Sequence, residues 1–362
     1  MKNLKFSTTI ASLLMLVSSC TSKQPEQLNE VYFTDNGIVY DETELVVSDT
    51  LRSEVIQKDR IGIWRLLVAD SILCCQTIDL PHKFELYSID GDSLAGIGLR
   101  GNGPNDFATG SLNGVIDNEA GDLGVWVVDT NNAMLKRLNL SKSIDRGKSI
   151  VDSMYRIPGY TVDAFLVDGK LIYPQMVPGS FNLLIADGEN GENVIYNEPL
   201  YLVDFGQSLM SAYHSFKKIS PNGKYFVNPM LAINQVNILN LEDMSRLAVS
   251  IGNVKKQDEV LTDRGPAHYY YIGLTLSDDN IFALYHNIST DADMEAQEAN
   301  FRQLHVFDYN GNLKGIYPFD KVIYDVSYSP VDNSLYAITA DEEICRYRLP
   351  DFKSKQYKSL MM

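Results

Sequence analysis

Positive charge is scarce in this chain of 362 residues. Its 31 Lys and Arg stand against 47 Asp and Glu, which gives a formal net charge of −16 and a pI near 4.7. A surface of that sign repels phosphate backbones, so no nucleic-acid partner is expected. Histidine occurs five times, at positions 82, 214, 268, 286 and 305, with no HExxH and no paired CxxC, which argues against a zinc site. No G-x-S-x-G elbow exists, so no Ser-His-Asp set can be assembled and no catalytic residues are assigned. Beyond the first 20 residues no run approaches the ~18 apolar residues of a spanning helix, and no further membrane span is expected. Apolar material is not lacking. At 45% hydrophobic the chain can bury a large core, and 21 Tyr with 24 Gly suit short strands joined by turns.

The first 19 residues read as a signal peptide: Lys2 and Lys5 form a positive end, Ile10 to Val17 a short apolar core, and Val17, Ser18 and Ser19 lead into Cys20. This ending resembles the bacterial lipobox, which implies that Cys20 is lipidated and that the protein is held in the bacterial cell envelope, at the outer membrane. Residues 20–44 then form a polar tether. The other cysteines are Cys74, Cys75 and Cys345. The vicinal pair sits in a strand-like run, so its two side chains point to opposite faces. Buried free thiols are expected, with a bridge from Cys345 to one of the pair as the alternative in an oxidising compartment.

Residues 45–352 carry an internal repeat, followed by a tail over 353–362. Hairpins built on turns rich in Asp, Asn and Gly recur: FELYSIDGDSLAGIG from Phe84, FNLLIADGENGENVIY from Phe181 and LHVFDYNGNLKGIYPFD from Leu304, with looser copies from Val125 and Val236. Partner hairpins precede most of them, as in FKKISPNGKYFVNP from Phe216. Two hairpins make a four-stranded antiparallel unit, and the units return about every 50 residues, a propeller-blade period. The fold class expected is all-β: a six-bladed β-propeller of four-stranded antiparallel blades, in preference to two stacked β domains, because no linker-like break interrupts the repeat. The sixth unit shows only three strands, VIYDVSY, SLYAIT and EICRYRL, and its fourth is expected from the N-terminal run LVVSD or SEVIQ, closing the ring and covering two open edges.

Residues 96–107, GIGLRGNGPNDF, followed by VWVVDTNNAMLKRLNL from Val125, resemble the NHL-repeat signature, a G-x-G-P turn ending in Phe and then a V-x-D-T-x-N strand pair. The order of these features, with Val306, Phe307, Asp308, Gly311 and Asn312 near the end, is similar to TolB-like six-bladed propeller lipoproteins. The resemblance spans roughly residues 45–350 and implies fold more than function. The polar insertion at 287–300 departs from it.

Candidate chemistry is sparse. Gly98, Gly101 and Gly103 lack phosphate-loop spacing and a following helix pattern, so they read as a blade-to-blade turn. Asp291, Asp293 and Glu295 alternate like the start of a calcium loop, but Ala296 occupies the position that needs Gly. Polar inner-strand residues that could face the central channel are Trp64, Arg65, Asn113, Asp163, His214, Lys217, Tyr271 and Asp325, and a one-residue shift of register would exchange channel for core. Tyr269 and Tyr271 should share one face of their strand and Tyr270 the other, an aromatic platform for a glycan or peptide or else core packing.

The expectation is a binding or scaffold module for a peptide, protein or glycan, touching the membrane only through its lipid, with no cofactor and no metal. The alternative is a calcium-dependent lactonase- or esterase-like hydrolase. Three or more oxygens converging in the channel free of Arg and Lys would favour it.

Overall fold

The computed structural model describes residues 37–60, 62–78, 80–119, 121–159, 161–177, 179–187, 191–199, 214–252, 268–289, 302–352 and 359–361. The leader, Cys20, and the acidic stretch with Asp291, Asp293 and Glu295 lie outside these residues.

Six four-stranded antiparallel blades follow one another along the chain as a propeller, the sheet of blade 4 being extended by two further strands. Blade 1 runs from Ile63–Ala69 to Ser93–Ile97, blade 2 from Ser111–Glu119 to Val151–Arg156, and blade 3 from Phe165–Val167 to Gly191–Pro199. Blade 4 runs from Lys218–Ile219 to Arg246–Ile251, and blade 5 from His268–Leu276 to Leu313–Pro318. Blade 6 comprises Ile323–Ser329, Ser334–Thr339 and Ile344–Arg348, with Ser53–Gln57 as its outermost strand. The SEVIQ run therefore closes the ring.

Each blade is covered on both sides, which explains why strands such as Ile72–Thr77 are apolar almost throughout rather than alternating. Successive residues serve successive joints. Leu67, Cys74 and Leu86 pack toward blade 2 with Val125 and Val127, whereas Val68, Leu73 and Cys75 pack toward blade 6 with Tyr336 and Ile338. Six hydrophobic clusters occupy the six joints, including the joint between the last blade and the first. The cysteines obey the same geometry. Cys345 belongs to the joint between blades 5 and 6 while Cys75 faces the other side of blade 6, so the two cannot bridge, and all three thiols are free and buried. Burial pushes the Cys345 thiol up to about 12, far from a reactive thiolate.

The N-terminal segment does more than close blade 6. Gly37–Tyr40 adds in parallel to the outer strand of blade 4, and residues 359–361 pair antiparallel with residues 38–40. The Tyr40 hydroxyl donates to the Gly311 carbonyl at 2.9 Å and accepts from the Leu313 amide at 3.0 Å. Ser48 then donates its amide to Ile316, and Leu51 to Pro318, both at 2.8 Å. Two expected boundaries change accordingly. The end of the supposed tether is a strand and strap, and the end of the supposed tail is a strand.

The glycine-rich loop is a clamp between blades 1 and 2. A Cβ on Gly101 or Gly103 would meet Asp106 Oδ2 at 2.7 or 2.6 Å, so the Asp106 side chain packs directly over both glycines. Phe107 is fully buried, edge-on to Phe84 at 5.2 Å. Beneath it, buried Asp129 of the V-x-D-T-x-N run accepts from the Thr109 amide at 3.0 Å, Asn132 Nδ2 at 2.7 Å and Lys136 Nζ at 2.9 Å. Burial alone would raise the Asp129 pKa, but these donors hold it below the ordinary value. Removing one partner of a buried ion pair strands the other. Asp129→Ala should therefore cost about 3–5 kcal/mol, measured by urea unfolding of the mature protein. A cost below about 1 kcal/mol would mean that the clamp does not hold the joint.

Candidate functional site

The inner strands create a problem that decides where polar residues sit. Each turns one edge toward the channel, leaving backbone groups that no neighbouring strand satisfies. Side chains of adjacent blades supply the partners. Asp325 Oδ2 accepts from the Leu66 amide at 2.8 Å and Ser327 Oγ from the Val68 amide at 2.9 Å, joining blade 6 to blade 1. Gln76 accepts from the Leu112 amide at 3.1 Å, and Thr275 from the Tyr328 amide at 3.0 Å. Asn113 donates to the Ala164 carbonyl and accepts from the Val115 amide at 3.0 Å. Asn113 and Asp325, read from sequence as channel residues, thus also lock the ring.

Where the inner strands begin, a cavity of about 180 Å³ opens on the axis. Arg65, Asn113, Asp163, His214, Lys217 and Asp325 all line it, so these six sequence candidates converge. Arg65 Nη1 lies 3.5 Å from Asp325 Oδ1, and Lys217 Nζ 3.4 Å from Asp163 Oδ2. Desolvation, reinforced by the Lys217 charge, lowers the His214 pKa. The donor set does not fit calcium. Each of the two carboxylates faces a cation, and among the described residues no group of three His, Cys, Asp or Glu could hold a metal.

Trp64 stands just outside the cavity, 42% exposed. The Arg65 guanidinium lies 5.2 Å from its ring and 5.2 Å from that of Phe216. Tyr269 and Tyr324, 40% and 53% exposed, occupy the equivalent starts of the inner strands of blades 5 and 6. Exposed aromatic rings therefore stand on three successive blades, 5, 6 and 1, on the face where the cavity opens. Arg302 supports this arrangement from below. It is 8% exposed and stacks at 4.9 Å on the Tyr324 ring, while its Nε and Nη1 have no hydrogen-bond partner among the described residues.

Tyr271 is a correction. Two register shifts, between Tyr269 and Tyr271 and between Tyr271 and Gly273, break the alternation. Tyr271 turns into the joint between blades 4 and 5, fully buried, with its hydroxyl 3.2 Å from His305 Nδ1. It does not share a face with exposed Tyr269. Sequence reasoning also missed Lys218, which lines the cavity beside Lys217. The Lys-Lys pair was the available signal, since strict alternation admits only one of two neighbours.

No family profile matches the chain, and no curated protein sequence matches it. Solved structures do. A protein from Bacteroides fragilis described as exported shares 12% identity, with 87% of this chain and 100% of that one covered and a TM-score of 0.50. A member of the DUF4221 family from Bacteroides vulgatus shares 11%, with 86% and 98% covered and a TM-score of 0.52. At such identities the likeness establishes the six-bladed propeller fold alone.

The buried histidines set a pH dependence. Burial lowers His305 to about 3, and burial with the nearby Arg302 charge lowers His286 to about 4. An unfolded histidine titrates near 6.5, so below that pH the unfolded chain takes up protons the folded one refuses. Stability is therefore fully present above pH 6.5 and lost as pH falls toward 4. Buried His305 alone should account for about 2 kcal/mol between pH 7.5 and 5. Melting curves at the two pH values should show a smaller acid loss in His305→Phe than in the wild type; equal losses would contradict this assignment.

Proposed function

We propose that this protein is a lipid-anchored module of the bacterial envelope, held at the outer membrane, that binds a peptide, protein or glycan on the face where the inner strands begin. The observation that carries the reading is the exposed row of Trp64, Tyr269 and Tyr324 on three successive blades beside a polar mouth. Aromatic faces combine large apolar area with few rotatable bonds, which suits recognition of a sugar ring or an extended chain. The rigid blades hold these rings without reorganisation on binding, which lowers the entropic cost. The ion-paired state of Asp163 and Asp325 favours binding over metal-assisted hydrolysis.

The leader sequence and Cys20 support the envelope assignment, and one structural neighbour is described as exported. Cys20→Ala should abolish metabolic palmitate labelling and release the protein from the membrane fraction. Persistent labelling would remove the anchor from the reading.

The chain has two tryptophans, and Trp126 is 2% exposed, so Trp64 dominates any ligand-induced change in accessible indole fluorescence. Crosslinking on intact cells followed by affinity capture supplies the ligand. That ligand should quench or shift Trp64 emission, and Trp64→Ala/Tyr324→Ala should weaken its binding at least ten-fold while leaving the melting temperature within a few degrees. Undiminished binding by the double variant would move the site off this face.

A further inference from the structure

Below the mouth the channel continues. A second cavity of about 300 Å³ opens toward the opposite face, lined by Leu67, Ile116, Ile219, Thr275, Ser327 and Tyr328 among others. Lys218 lines both cavities and stands where they meet. Its side chain lies against the backbone of Gly114 on blade 2. A Cβ there would come within 3.1 Å of Lys218 Nζ and 3.2 Å of its Cδ and Cε. Gly114 has φ of +85°, so glycine serves both the backbone and the lysine.

Among the described residues the Lys218 ammonium has no hydrogen bond and no ion pair. The carboxylates that could have answered it are committed elsewhere. Asp325 accepts from the Leu66 amide and faces Arg65, and Asp163 faces Lys217. Burial lowers the Lys218 pKa, Asp325 opposes that effect, and Arg65 adds to it. In the upper cavity Arg65, Lys217 and Lys218 against Asp163 and Asp325 leave one positive charge in surplus, within a chain whose net charge is −16, whereas the exposed Asp278 and Asp279 line the lower cavity toward the opposite face. The general field of the molecule repels anions, so this local surplus is a property of the upper cavity itself. Leu66, Leu67, Leu112 and Leu274 also line this cavity. A lysine with three donors and no acceptor in such a place is a costly arrangement unless something fills it. Water could accept the hydrogen bonds, but only an anion also compensates the charge.

We propose that the upper cavity of the channel is a binding site for a small carboxylate anion, seated on the Lys218 ammonium and admitted past Arg65 and Lys217. One surplus charge matches a monoanion; a phosphate dianion would leave the site negative. The cavities are sized for a small organic acid, and the site is separate from the aromatic row on the face above.

The test uses the mature wild-type chain and Lys218→Met, which keeps the length and removes the charge. Acetate, lactate and pyruvate are titrated at constant ionic strength against sodium chloride, with inorganic phosphate as a parallel arm, followed by calorimetry and by melting temperature. At least one monocarboxylate should bind saturably and raise the wild-type melting temperature. Lys218→Met should weaken that binding at least ten-fold and, with no acid present, melt no lower than the wild type. Lys218→Gln serves as a second variant that retains donors without charge and should lose the response as well. Equal responses in wild type and variants, or no saturable response to any of the acids, would overturn the proposal. A response to phosphate exceeding that to the carboxylates would overturn the ligand class. Trp64→Ala/Tyr324→Ala should keep the acid response in full, so failure of the channel site and failure of the surface reading remain separate results.

Discussion

The joint between blade 6 and blade 1 is the contact on which the rest of the molecule depends. Every blade presents an apolar surface on both faces, so an open row of six would leave two such surfaces and two sheet edges in water. Ser53–Gln57 supplies the missing outer strand, Val68, Leu73 and Cys75 meet Tyr336, Ile338 and Ile344 in the joint, and Asp325 and Ser327 bond the amides of Leu66 and Val68 on the channel side. Outer edge, middle layer and inner edge are thus closed by three kinds of interaction. The partners lie some 260–290 residues apart in sequence, so the ring is completed only once nearly the whole chain is in place.

The same requirement explains the chemistry of the channel. Inner-strand edges must be satisfied, and polar side chains from the next blade are the means. Asn113, Gln76, Thr275, Ser327 and Asp325 answer backbone groups before they can answer a ligand. A polar residue pointing toward a propeller axis is therefore weak evidence of catalysis. What distinguishes Lys218 is that it bonds to nothing among the described residues. What distinguishes Trp64, Tyr269 and Tyr324 is that their exposure serves no joint.

The architecture was legible because Asp-, Asn- and Gly-rich turns mark each hairpin and recur at a steady interval. Even the closing strand could be narrowed to two runs, and Leu51 and Ser48 show why the other lost: that stretch is bonded to the edge of blade 5. The strap was not legible. Gly37–Tyr40 is four residues long, without alternation, and its pairing is dictated by the open edge of blade 4, which no local pattern announces. At the mouth, six residues were found because they precede or begin inner strands, where the hairpin pattern fixes position to within a residue or two. Tyr271 escaped because two bulges reset its strand, and Lys218 because its inner strand is two residues long and too short to carry a phase.

The strap also determines how the protein meets force. A pull on the N-terminus does not reach the ring-closing strand first. It loads Gly37–Tyr40, held between the outer strand of blade 4 and residues 359–361, then the Tyr40 hydroxyl bridged to blade 5, then the bonds of Ser48 and Leu51. Only when these have yielded is tension passed to Ser53–Gln57. The propeller is thus fitted with sacrificial fastenings in series, the first on blade 4 and the rest on blade 5, and the ring itself is the last element to bear the load.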